Sequence, residues 1–366
     1  MLHHAGRRQQ GKPVHPTLPY INAISTATPP HDVHPAFINW AKKRMADERE
    51  SAVFARMVDR AAIDHRWSVL PPPAIDRSQT DTGGFYDSQA WPGTARRMAL
   101  YADAAPALAE QAIRGLGSLD DVTHLVLASC TGFVAPGIDQ LLAQRLGLDA
   151  TVERTLIGFM GCYAAVAAMR TAYHIVRSQP TAVVLVVTVE LSTLHLQQAD
   201  DLESLLAMLL FADGAAASLV SARPVGLEIS APFSVALPDS GDLITWTVTD
   251  TGFAMGLSGM VPGRVASALA DPDMHQRLWA DGRTDSWAVH GGGRSILDAV
   301  ERGLDLPENA LDTSRAVLRD CGNMSSATLM FVLARILADD ARPSAGVALA
   351  FGPGLAVEGF RYRSPG

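Results

Sequence analysis

The stretch TAVVLVVTVE, residues 181–190, is apolar and largely β-branched almost to its last residue. A strand with one wet face alternates polar and apolar residues; a strand covered on both faces does not. The run therefore predicts a buried strand of a parallel sheet, with helices on both sides. Its neighbours read as those helices. GFMGCYAAVAAMR (158–170) opens a helix of small apolar residues that runs to about Ser178, and another helix falls around 199–211. A second strand, GAAASLVSA, follows at 214–222. Strands alternating with helices predict an α/β fold.

The pattern extends outward. Residues 35–65 read as helical, SVLPPPAI (68–75) as a stiff proline-rich connector, and 94–116 as an amphipathic helix ended by Gly117. THLVLAS (123–129) reads as a buried strand that enters the turn CTGFVAPG, with Pro136 starting a helix near 137–146. RPVG (223–226) marks a boundary. Beyond it the layout repeats. SWAVHGGG (286–293) is a strand running into a glycine turn, followed by a helix at 294–303. CGNMSSATLMFVLARILAD (321–339) is a turn into a helix, and GVALAFGPG (346–354) a strand into a loop. Cys130 and Cys162 are 32 residues apart, His290 and Asn323 33; Cys162 to Val189 is 27, Asn323 to Phe351 28. These spacings suggest a duplicated α/β unit whose turns face one site, because ligand-handling residues gather at strand ends in such sheets.

Composition narrows the classes. The 366 residues are 48% hydrophobic and 19% charged, with a net charge of -8, so no basic excess suits a nucleic-acid or membrane-surface partner. The three cysteines, Cys130, Cys162 and Cys321, are far apart and form no CxxC, which argues for a reducing compartment and against a disulfide framework. MLHHAGRRQQGKPVHP lacks the apolar core of a secretory signal, and no apolar run approaches the roughly 18 residues of a membrane span. The expectation is a cytoplasmic protein without a membrane span, its segment 1–20 loosely ordered. HExxH, HxH and CxxC metal patterns are missing, HGGG (290–293) has no GxSxG to accompany it, and FGPG (351–354) fits neither GxGxxG nor a phosphate loop.

Three residues carry candidate chemistry. Cys162 lies among alanines and valines, where a cysteine is commonly an inert small hydrophobe. It also lies at a helix start, where free N–H groups and the macrodipole favour a thiolate. His290, ahead of three glycines, is either an activating imidazole or a satisfied turn histidine. Asn323 is either an amide donor or a helix N-cap.

THLVLASCTG, GFMGCYAAVAAMR, LLFADGAAA, WAVHGGGRSILD, CGNMSSAT and FGPGL, in this order and spacing, resemble the type III polyketide synthases, the chalcone synthase family, over about residues 20–362. The resemblance implies an α/β thiolase fold, two fused αβαβα halves forming a five-layered core, that works as a homodimer. Residues 21–223 would form the half with the nucleophile, and 224–366 the half with His and Asn. By the same resemblance Cys162 is the acyl-bearing nucleophile, with His290 and Asn323 as its catalytic partners. Phe211 is the gatekeeper between coenzyme A tunnel and cavity, and Met255 takes the place of the usual second aromatic gatekeeper. Arg56 and Arg60 fall near the coenzyme A phosphates, although a solvated helix face explains them equally. Cys130, Thr131, Ala135, Ser192 and His195 fall with Met255 at pocket positions. HGGG stands where the family usually has HPGG, FADG for FGDG, and AFGPG for GFGPG.

The implied mechanism needs no metal or redox cofactor, only an acyl-CoA starter and malonyl-CoA. A Cys162 thiolate paired with protonated His290 takes the starter; His290 and Asn323 stabilise the enolate left by decarboxylation; repeated extension and cyclisation follow. ELSTLHLQ (190–197) resembles bacterial members that use fatty acyl starters and make alkylpyrones or alkylresorcinols. The rival readings are a ketoacyl synthase III-like enzyme performing one condensation, a polyketide synthase with a small or aromatic starter, a Cys-His-Asn hydrolase, and a non-catalytic acyl-CoA binder.

Overall fold

The computed structural model describes residues 17–45, 47–72, 84–87, 90–279 and 284–365. Most of the expected loose segment 1–20 and part of the 68–75 connector lie outside the described residues.

Nine strands form one mixed sheet. Their order is Ser286–Val289, Gly346–Gly352, Ala356–Arg363, Leu227–Ala236, Tyr20–Ala27, Asp213–Ser221, Val183–Leu191, His124–Ser129, Glu153–Gly158. The two halves repeat each other in strand direction. From the centre outward, Tyr20–Ala27, Asp213–Ser221 and Val183–Leu191 are successively antiparallel, and Val183–Leu191 is parallel to His124–Ser129. Leu227–Ala236, Ala356–Arg363, Gly346–Gly352 and Ser286–Val289 run the same way. Within the sheet the halves meet where Tyr20 pairs with Glu228 and Ile21 with Leu227.

The opening stretch is thus corrected in one respect. Val183–Leu191 is parallel to its neighbour on one side and antiparallel on the other. An unbroken apolar run reports burial of both faces, and burial is indifferent to strand direction. The faces separate cleanly. Leu185, Val187 and Val189 pack with Tyr101, Ala105 and Leu108 of the helix Thr94–Arg114, whereas Val184 and Val186 pack with Ala164, Ala165 and Ala168. The helices Ala164–Ser178 and Ser326–Ala338 contact strands of both halves, so they form the middle layer between them. The Thr94–Arg114 helix covers the outer face of one half; Arg294–Gly303 and Asp312–Cys321 lie on the outer side of the other. Five layers result. Val126, Ala128, Ala348 and Ala350 face the middle layer, and small side chains let two helices fit between two halves of sheet.

Two features differ from expectation. The helix at 35–65 is two helices, His34–Lys42 and Glu48–Ala61, and the Asp47 side chain caps the second through Arg49 N–H at 2.8 Å. The helix near 199–211 is shorter, Leu202–Met208. No helix among the described residues is long and apolar enough to cross a membrane. The edge strand Glu153–Gly158 is largely exposed and presents Leu156, with Phe133 exposed nearby on the preceding loop.

Candidate active site

The site forms where strands end and helices begin. Cys162 follows Glu153–Gly158 through a tight turn in which Phe159 has φ 57° and Gly161 φ 75°. It sits in a single 3-10 turn, Gly161–Tyr163, one residue ahead of the cap of the Ala164–Ser178 helix. Gly161 is required twice over: its φ is left-handed, and a Cβ there would lie 2.3 Å from Pro353 Cδ. Across the interface, a Cβ on Gly352 would meet Tyr163 at 2.7 Å and the Cys162 backbone nitrogen at 3.3 Å. The loop after Gly346–Gly352 is therefore pressed against the cysteine turn. This explains why FGPG and GFMGC, nearly two hundred residues apart, belong to one site.

His290 follows the strand Ser286–Val289 and continues its pairing through His290 N–H to Leu349 O at 2.8 Å. Asn323 follows Gly322. It brackets Phe211 by two backbone bonds, Asn323 N–H to Leu210 O at 2.8 Å and Ala212 N–H to Asn323 O at 2.9 Å. Its side chain decides the question left open by sequence. The helix Ser326–Ala338 is capped at Ser325, and Asn323 Oδ1 accepts from Ser325 N–H at 2.9 Å. That donor fixes the amide orientation, so His290 Nε2 at 3.2 Å is the donor to the same oxygen, and Asn323 Nδ2 donates to Gly292 O at 3.1 Å. Asn323 is not an N-cap. His290 Nδ1 is buried without a partner.

Cys162, His290, Asn323, Phe211 and Met255 all line one cavity of about 920 Å³. Leu206, Leu209, Leu210, Ile244, Leu257 and Phe351 make its wall apolar; Arg60, Glu203, Arg294 and Asp298 bring charge to it. Its electrostatics differ from the expected thiolate–imidazolium pair. Burial pushes the Cys162 thiol up to about 12 and the His290 imidazole down to about 4. Both groups are then neutral near pH 7, because desolvation outweighs what the helix start supplies. The Cys162 Sγ accepts from Ser325 Oγ at 3.5 Å.

Beside the cavity lies a buried network that sequence reasoning did not anticipate. Glu190 is fully buried. Its carboxyl accepts from Cys130 N–H at 3.0 Å, Thr131 Oγ1 at 2.9 Å and Ser326 Oγ, and Cys130 Sγ lies 3.4 Å away. Cys130 Sγ lies 3.2 Å from Ser325 Oγ, which links Glu190 to Cys162. Burial raises Glu190 to about 7, against the pull of those hydrogen bonds. The signal in sequence is a lone carboxylate ending the apolar run at 181–190. Ser325, at φ 49°, is a strained non-glycine residue, a conformation that persists only where its surroundings impose it.

The remaining expected pocket residues lie elsewhere. Cys130, Thr131, Ala135, Ser192 and His195 are not among the residues lining the cavity. His195 is buried and fully bonded: Nε2 to Thr131 O at 2.7 Å, and Nδ1 from Phe253 N–H at 3.0 Å. Its ring stacks on Phe253 at 4.2 Å, edge-on to Trp246, whose Nε1–H reaches Cys130 O at 2.8 Å. Ser192 is buried in the same short turn; Ala135 is exposed, before a cis peptide to Pro136. Of the two expected coenzyme A arginines, Arg60 lines the cavity and Arg56 does not; both are exposed. Also unforeseen is Arg66, which is buried. Its Nη1 donates to Met208 O at 2.9 Å and Phe211 O at 2.8 Å, its Nε to His34 Nδ1 at 2.9 Å, and its guanidinium covers Phe37.

The profile of the chalcone and stilbene synthase N-terminal domain matches residues 15–224, and that of the C-terminal domain residues 228–365. The chain is 36% identical over 291 residues to the alpha-pyrone synthesis polyketide synthase-like Pks18 of Mycobacterium tuberculosis, covering 74% of each. It is 35% identical over 302 residues to the bisdemethoxycurcumin synthase of Oryza sativa subsp. japonica, covering 75% of this chain and 74% of that one. Among solved structures, PKS-I of the brown alga Ectocarpus siliculosus superposes with a TM-score of 0.86 at 30% identity, covering 96% of this chain and all of that one.

Proposed function

Because the chain belongs to the type III polyketide synthases, acyltransferases of thiolase-like fold that condense thioesters with malonyl-CoA by decarboxylation, we propose that it loads an aliphatic acyl-CoA on Cys162 and extends it to an alkylpyrone. The observation that carries this reading is the shared cavity: thiol, imidazole and amide line one apolar chamber. The Cys162 sulfur attacks the starter thioester as its proton passes to His290, and that proton leaves with the departing coenzyme A thiol. Malonyl-CoA then loses carbon dioxide. His290 and Asn323 turn their N–H donors to the thioester oxygen and stabilise the enolate. The enolate carbon attacks the Cys162 thioester and frees the cysteine. After further rounds an enol oxygen closes on the thioester carbonyl, giving a lactone. The relative named for alpha-pyrone synthesis supports this closure.

The aliphatic side chains of the cavity support an alkyl starter. A small or aromatic starter is the second reading, favoured by His195: it stacks on Phe253 and bonds Thr131 O, and the cavity is not lined by residues 192–195. Incubation with malonyl-CoA and acyl-CoAs of increasing length, followed by mass spectrometry, is expected to yield tri- or tetraketide pyrones from a medium-length chain. Products of a single extension would overturn the proposal. We further propose a homodimer joined along the exposed edge strand with Leu156 and Phe133. Light scattering is expected to give twice 38.9 kDa; a value at 38.9 kDa would refute it.

A further inference from the structure

We propose that Arg294 is a phosphate-binding residue for coenzyme A at the cavity mouth, working with Arg60 from a separate element. The inference rests on the synthase reading for the nature of the ligand. Arg60 comes from the end of the helix Glu48–Ala61; Arg294 is the first residue of Arg294–Gly303. Both line the cavity, whose inner wall is aliphatic and whose charged residues include these two arginines. Such a chamber suits a ligand with an apolar acyl end and an anionic head, and the head belongs where the cations are.

Two carboxylates also line the cavity: Glu203, on the separate helix Leu202–Met208, and Asp298, which faces Arg294. Asp298 is already engaged. Arg315 Nη2 lies 2.8 Å from its Oδ1, and the same arginine bonds Glu301. Arg294 has only a distant tether to it: Nε to Asp298 Oδ2 is 3.8 Å, beyond hydrogen-bond reach, and the Arg294 side chain is 51% exposed. Its donors are thus uncommitted, while the carboxylate it faces has a closer cation. A guanidinium presents parallel N–H donors that match phosphate oxygens in pairs, so an arginine held here only by a long ion pair favours a phosphorylated carrier over a neutral one. Residue 294 lies four positions after His290, so an anion held there is tied to the turn that carries the imidazole.

The test is titration calorimetry on the full chain, with coenzyme A and with pantetheine, the same arm without its phosphates. Arg294→Ala is expected to weaken coenzyme A about 5- to 10-fold, the scale of one partly exposed charge-assisted contact. Pantetheine binding is expected to stay unchanged, and Arg294→Lys to recover most of the loss. The salt dependence of coenzyme A affinity should become shallower in the alanine variant. Unchanged coenzyme A affinity would overturn the proposal, as would an equal loss for both ligands. The two readings fail separately. Arg294-dependent coenzyme A binding without polyketide formation defeats the synthase reading alone; polyketide formation with coenzyme A bound equally by the alanine variant defeats the arginine alone.

Discussion

At the scale of the residue, burial is what decides the chemistry of Cys162. Its place at a helix start suggests an activated thiolate, yet the surrounding apolar wall holds it as a thiol, and the charge of Glu190 pushes the same way. On the proposed mechanism, a neutral thiol and a neutral imidazole on one cavity wall would protect the cysteine until a thioester enters, the proton moving as the carbon is attacked. Cys162→Ala is expected to lose every acyl adduct in intact-protein mass spectrometry, while still releasing acetyl-CoA from malonyl-CoA at a measurable rate, because His290 and Asn323 remain. Polyketide formation by this variant would show that the nucleophile lies elsewhere. His195 teaches the converse. As a histidine in a suggestive motif it looks like a pocket residue; both its nitrogens are satisfied and its ring is stacked, so it acts as a core residue.

At the scale of the element, the site is held by short contacts between turns. The bridge between Phe211 and Asn323 ties two residues of the cavity wall together, and Arg66 holds the same segment through Met208 O and Phe211 O. Removing those donors strands two carbonyls. We expect Arg66→Met to cost about 2–4 kcal/mol of stability, as loss of a buried charged donor does. Among molecules that remain folded, extension should fall more than starter loading, because the proposed mechanism uses Asn323 for the enolate and not for the first acyl transfer; Arg66→Lys should restore part of it. Loading and extension falling in step with the melting temperature would reduce Arg66 to a structural role. The strongly apolar elements, 123–129, 181–190, 321–339 and 346–354, were legible because their burial leaves a pattern. Leu227–Ala236 was not read as a strand: it is buried on one end and half wet along the rest, so its signal is weak. The hairpin Ile244–Thr249 and Gly252–Leu257, which supplies Met255 to the cavity, was missed for the same reason.

At the scale of the molecule, buried ionisable groups set how stability follows pH. His34, His195 and His290 are held near 4, near 3 and near 4, mainly by burial, against an ordinary value of 6.5. The unfolded chain takes up these protons first, so their contribution is whole above 6.5 and is lost as pH falls, by about 2 kcal/mol each at pH 5. Glu190 and Asp213, raised to about 7 and about 6, act oppositely: their contribution is present at low pH and lost as pH rises. The histidine shifts are together the larger, so the melting temperature should fall between pH 7 and pH 5. Glu190→Gln removes one opposing contribution and should steepen that fall, measured by thermal denaturation at the two pH values. An unchanged fall in the variant would mean that Glu190 is ionised throughout this range.

The sequence by itself determined that this is a layered α/β protein with two similar halves, that His290 stands at the end of a strand, and that Cys162 and Asn323 stand at helix starts. Periodicity, β-branching and glycine placement are local, and local residues write them. Only the tertiary structure decided the directions of the strands, the neutrality of the thiol, the exclusion of His195 from the cavity, and the meeting of Glu190, Cys130 and Ser325. Each depends on what surrounds a group in space: burial sets protonation, and hydrogen-bond partners come from segments 58 to 195 residues away.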